Sequence, residues 1–134
     1  MRRLRSAGVG AAPLVAARPI VGLLDNIPHR AGIITNVKTV ELVRTRVTLT
    51  NTAFAELVLW QVPKPVAGSA HEFKYRLAYV VDGVCVVRYD NEGGKGDHRH
   101  VKGRETAYAF KTPEKLIADF QRDIARWNRE NRNA

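Results

Sequence analysis

Apolar and polar positions alternate or run in short blocks along residues 37–110, and change to a helical spacing only after residue 112. Residues 37–50 are β-branched and partly alternating, which predicts a strand. Asn51-Thr52 reads as a turn, and residues 54–62 as a second, more continuously apolar and more deeply buried strand. Pro63, Pro65, Gly68 and Ser69 predict an irregular loop with His71 at its end. Phe73–Val81 and Val84–Asp90 flank Asp82-Gly83, a hairpin signal, because a type I′ turn needs positive φ at both central positions. That turn predicts a register. Val81 stands opposite Val84, Tyr79 opposite Val86, Leu77 opposite Arg88 and Tyr75 opposite Asp90. On the other face Ala78 meets Val87, Arg76 meets Tyr89 and Lys74 meets Asn91.

Farther on, Lys102–Glu105 reads as a short turn and residues 106–110 as a short strand. Thr112-Pro113-Glu114 has the marks of a helix start: a capping hydroxyl, proline at the first position and an acid at the positive end. Leu116, Ile117, Phe120, Ile124 and Trp127 then form one apolar stripe. Lys115, Arg122, Arg126 and Arg129 lie mostly off it, as a solvated helix surface. These elements predict an α+β domain over residues 36–130. Its mainly antiparallel sheet, a β-meander of four to five strands, is packed on one face by the C-terminal helix.

Residues 1–35 differ from the rest. Arginines near Met1, a weakly apolar Gly/Ala middle and small residues imitate a signal peptide, but Pro13 and the glycines make the apolar segment poor. A disordered or non-native extension is the preferred expectation. The chain carries a net charge of +9 with an estimated pI of 10.2, which favours polyanionic partners. The single cysteine, Cys85, lies in a valine-rich run and can form no internal disulfide. No stretch is long or apolar enough to span a bilayer.

Titratable and flexible residues crowd together only between Tyr89 and His100. Gly93, Gly94 and Gly96 loosen the backbone around Lys95. In an extended His98-Arg99-His100, both imidazoles share one face and the guanidinium takes the other. Histidine titrates near neutrality, so such a pair suits proton transfer. The predicted hairpin brings Lys74, Arg76, Tyr89 and Asn91 to the same end. The competing reading is a polar, glycine-rich loop with solvated histidines.

Phe73–Gly83, Tyr89-Asp90-Asn91 and Lys95-Gly96-Asp97-His98-Arg99-His100 together resemble the signature of the TumE-type family of bacterial toxin–antitoxin toxins. Leu57–Trp60, Pro63, Pro65, Gly68-Ser69, Tyr108–Phe110 and the segment around Asp119-Phe120 extend the resemblance over residues 37–128. The sequence departs from that pattern at Cys85 and Arg88. The resemblance implies a small cytoplasmic toxin that acts as an endoribonuclease. It also implies neutralisation by a cognate antitoxin carrying a DNA-binding helix-turn-helix domain.

Metal-independent RNA cleavage needs a base for the 2′-OH, an acid for the leaving 5′-oxygen and cations for the phosphate. His98 and His100 fit base and acid, in either order. Arg76 and Lys95 fit the phosphate. Asp90 or Asp97 could orient an imidazole. Lys74, Tyr89, Asn91, Arg99 and Tyr108 are the expected RNA contacts, the tyrosines by stacking. No cofactor is expected. Three alternatives remain. One is a divalent metal on His98, His100 and Asp97 or Asp90, with His71 joining. The others are a non-catalytic RNA-binding module and a toxin acting through protein contact alone.

Overall fold

A computed structural model of the chain describes residues 38–132. The expectation for residues 1–35 lies outside them. Six strands form one sheet in sequence order: β1 (Val40–Thr50), β2 (Ala53–Gln61), β3 (Phe73–Val81), β4 (Val84–Asp90), β5 (His98–Val101) and β6 (Arg104–Ala107). Every neighbouring pair is antiparallel, and helix α1 (Pro113–Asn131) follows. The meander and its helix match the expected class, with one or two strands more than expected.

The extra strand is β5, just before the region read as a turn, and the last strand starts two residues earlier than expected. Lys102 and Gly103 have φ of 55° and 76°, a tight two-residue turn joining β5 to β6. Arg104 and Glu105 are therefore strand residues, and Tyr108–Phe110 have left the sheet. Lysine is not a usual left-handed residue, so the turn is weakly marked in the sequence. Asp82-Gly83 behaves as expected, with φ of 51° and 80°.

One face of the sheet is covered and the other is open. Leu57, Leu59, Tyr75, Leu77, Val87 and Tyr89 point from β2–β4 to the covered face and are fully or almost fully buried. They pack against Leu116, Ile117, Phe120 and Ile124 of α1. Each large side chain buried this way stabilises the fold by about 1.5–3 kcal/mol, before ordering costs. The Thr112 hydroxyl accepts from the Lys115 N–H at 3.0 Å, and Pro113 opens the helix. Trp127 continues the stripe and meets Tyr79 edge-on at 6.1 Å.

The hairpin register needs a correction that rearranges the site. Val81 pairs with Val84 and Val80 with Cys85, but Tyr79 then pairs with Val87, so Val86 is an extra, bulged residue. Beyond the bulge the register is one residue from the turn-based expectation. Leu77 faces Tyr89 instead of Arg88, and Arg76 faces Asp90 instead of Tyr89. A one-residue slip exchanges faces. Tyr89 consequently enters the core, while Arg88 and Asp90 emerge on the open face. Alternation gives the reason: Val87 and Tyr89 are apolar, Arg88 and Asp90 are charged, and only the bulged register buries the first pair.

Candidate functional site

Strands β3 to β6 bring one polar row after another onto the open face. Arg76, Asp90 and His98 stand side by side across β3, β4 and β5. In the next row Arg88 pairs with His100, and His100 with Glu105. Lys95 hangs over them from the glycine-rich loop. Arg76, Arg88, Asp90, Lys95, His98, His100 and Glu105 thus line an open cleft of about 400 Å³.

His98 and His100 share this face because β5 alternates, with ring centroids 6.2 Å apart. His98 is almost buried. Its Nδ1 lies 3.4 Å from the Asp90 backbone oxygen and 3.8 Å from Asp90 Oδ1. Its Nε2 is buried without a hydrogen bond, although Glu105 Oε2 is 3.2 Å away. His100 is more open. Its Nε2 lies 2.9 Å from Arg88 Nη2. A guanidinium has no acceptor, so the imidazole nitrogen must accept and carries a lone pair in this arrangement. Arg88 Nε also forms an ion pair with Asp90 Oδ2 at 2.8 Å.

Glu105 closes the cleft opposite. Lys95 Nζ lies 3.3 Å from its Oε2, and His100 Nε2 lies 3.9 Å from its Oε1. The Lys95 hydrogen bond, joined by the Lys95 charge and the two imidazoles, outweighs the opposing desolvation and holds the Glu105 carboxyl below the usual range. Turn-based reading missed both Arg88 and Glu105. The available signal for Arg88 was its alternation with Val87 and Tyr89.

The base of the Lys95 loop is fixed, while its tip is exposed. Gly68 and Gly96 have φ of 88° and 91° and press backbone to backbone; a Cβ on Gly68 would lie 2.4 Å from Gly96 N. Beside them Asp97 accepts from Ser69 Oγ at 2.7 Å, His71 Nε2 at 2.7 Å and Tyr75 Oη at 2.6 Å. The Phe73 N–H donates to His71 Nδ1, which assigns the ring proton to Nε2. His71 also stacks on Phe110 at 3.8 Å. Asp97 thus orients His71, away from the cleft. Neither joins His98 and His100, and among the described residues no three His, Cys, Asp or Glu side chains converge in a metal-ligand arrangement.

Several expected RNA contacts have other work. Tyr89 is buried and its hydroxyl donates to Asp123 of α1. Burial first, then that carboxylate, pushes the phenol far above its ordinary range. Arg99 lies on the covered face and grips Asp123 through Nε at 2.6 Å and Nη2 at 3.0 Å. That pairing holds its guanidinium charged. Tyr108 Oη donates to Asp119 at 2.6 Å. Asn91 is fully buried: its Oδ1 accepts from Tyr75 N, and its Nδ2 donates to Phe73 O and Ser69 Oγ. These four side chains have structural partners, and Tyr89 and Asn91 have no surface to offer a base. Lys74 alone of this group stays on the open face, paired across the strands with Trp60.

No helix among the described residues is long and apolar enough to cross a membrane. Neither a curated protein nor a solved structure matches the chain. A family model described as Toxin TumE matches residues 25–128, starting upstream of the expected domain boundary at residue 36. With most of its length inside that match, the chain belongs to the TumE toxin family.

Proposed function

We propose that this toxin is an endoribonuclease that cleaves RNA without a metal, through His98 and His100 in the open-face cleft. The observation that carries the reading is the meeting of two imidazoles with Arg76, Arg88 and Lys95 at one solvent-accessible site. In-line cleavage by the neighbouring 2′-OH needs those groups and no more. The 2′-oxygen bonds to phosphorus as its proton goes to a base. The bond to the 5′-oxygen breaks as an acid protonates it, leaving a 2′,3′-cyclic phosphate and a 5′-hydroxyl.

The partners of the two rings suggest the order of roles. His100 already accepts through Nε2 from Arg88, so it is the base once Arg88 turns to the phosphate. His98 has Asp90 on its Nδ1 side and Glu105 Oε2 3.2 Å from its Nε2, carboxylates that favour a proton on the ring, and serves as the acid. Arg76, Arg88 and Lys95 take the phosphate charge. Asp90 positions both Arg88 and His98. Membership of a toxin family also suggests a cognate antitoxin. We assign it a helix-turn-helix DNA-binding domain, and the cytoplasm as the site of action. Induced expression of the parent, His98→Ala and His100→Ala chains, with growth and total RNA followed together, tests the reading. Growth arrest with RNA breakdown in the parent alone is expected. Equal toxicity of all three would overturn it.

A further inference from the structure

The open face does not end at the cleft. Register across the sheet sets Arg44, Val58, Arg76, Asp90 and His98 in one transverse row. Two aromatic rings flank the far end of this row on β2, and each is half-buried. The Arg44 guanidinium carbon lies 5.6 Å from the Trp60 ring centre, and that of Arg46 lies 4.0 Å from Phe54. Both arginine side chains are 57% exposed. They also pair with Glu41 at 2.8 Å and with Glu56 at 2.6 Å. Lys74 stands between Trp60 and the cleft, as the cross-strand partner of Trp60. From β5 to β1 is four strand spacings, about 19 Å at ~4.8 Å each.

We propose that this face is a track for single-stranded RNA, with Trp60 and Phe54 stacking bases that lie away from the scissile phosphate. The inference rests on the ribonuclease reading and extends its site from the cleft to β1. Three features favour RNA over a protein partner. The rings already hold planar cations over their faces, a place that a base of similar shape can take. Arg44, Arg46, Lys74, Arg76, Arg88 and Lys95 stand against Glu41, Glu56, Asp90, Glu92 and Glu105 on this face, and a phosphate can exchange with those carboxylates. The surface is also continuous with the cleft, so a strand held there leads its backbone to His98 and His100. Aromatic rings with a solvent-facing side beside cations are the combination by which sequence-tolerant single-strand binders work.

The test is binding by the full chain carrying His98→Ala and His100→Ala, which prevents cleavage during the measurement. The probes are a labelled oligouridylate long enough to cross the face and a uridine dinucleotide. Trp60→Leu and Phe54→Leu should each weaken the long probe by about tenfold, within the effect of losing one stacked base. Dinucleotide binding should not change. Trp60→Tyr, which keeps a stacking face, should retain affinity, and thermal melts show that each variant folds. Unchanged affinity of Trp60→Leu and Phe54→Leu for the long probe would overturn the track. So would equal loss for both probes. Loss of antitoxin binding with RNA binding intact would overturn it too, by assigning the face to protein. Failure of the ribonuclease reading looks different: the long probe binds in a Trp60-dependent way, yet the parent chain cuts nothing.

Discussion

The two faces of β4 and β5 use the same residue types to opposite ends. Toward the helix, Arg99, Tyr89 and Asp123 close on one another, with a bidentate pair whose carboxylate is only 6% exposed. Toward solvent, Arg88, Asp90, His98 and His100 lie in a cleft where the Glu105 carboxylate is shared among Lys95 and both rings, and one guanidinium is shared between a carboxylate and an imidazole. Side-chain alternation alone separates the two sets. Charge that is fully partnered under a helix holds the fold. Charge that is shared among several partners in an open cleft is available to a substrate. Breaking each set should therefore be read by a different instrument.

The largest expected effect is on the open face. His98→Ala and His100→Ala should each lower RNA cleavage by about 10²–10⁴-fold, the usual loss of one acid–base partner. His100→Ala should melt near the parent, while His98→Ala, which truncates a ring that is 7% exposed, should melt lower yet remain folded. On the covered face the readout reverses. Arg99→Ala leaves Asp123 buried without its cation and should cost about 3–5 kcal/mol in urea unfolding. Arg88→Ala, with a pair that is 34% exposed on the arginine side, should cost under about 1 kcal/mol while slowing cleavage. Equal destabilisation by both substitutions would erase the distinction between the faces.

A smaller effect tests the helix that makes one face covered. Thr112→Ala removes the cap and should cost about 1 kcal/mol, read by urea unfolding, with cleavage by the folded protein unchanged. The smallest effect is in acid. Burial raises the Asp119 carboxyl, but hydrogen bonds from Lys115, Tyr108 and Arg122 outweigh it and hold the group below its ordinary range. A depressed folded value means that its stabilisation is complete above the unfolded value, about 3.9, and is lost as pH falls through the folded one. Asp119→Asn should therefore differ from the parent by a constant amount from pH 7 to about 5, and converge with it below pH 4. A difference that grows on acidification would contradict the assignment.

The fold was legible where its causes are local. Asp82-Gly83 needs two left-handed residues, and Thr112-Pro113 caps a helix whose stripe follows at once. What could not be read from the turn alone was the bulge at Val86, because it answers to the core: Val87 and Tyr89 must both reach α1. That one residue moved Tyr89 out of the candidate site and Arg88 into it. Arg99 was misplaced for a related reason, since its partner lies in the helix, 24 positions away. Asn91 looked like a polar residue at a loop edge. Its role in tying β3 to the Ser69 loop depends on contacts 16 to 22 positions distant. By contrast, the shared face of His98 and His100 follows from alternation in a short strand and needed no long-range information.

The central claim is that the open-face cleft cuts RNA with its own two imidazoles. The most direct measurement incubates the purified full chain with a defined single-stranded RNA in EDTA and identifies the product ends. The account predicts cleavage that EDTA does not affect, giving 2′,3′-cyclic phosphate and 5′-hydroxyl ends, and its loss in His98→Ala and in His100→Ala. Cleavage that requires added metal, or that persists in both variants, would contradict it.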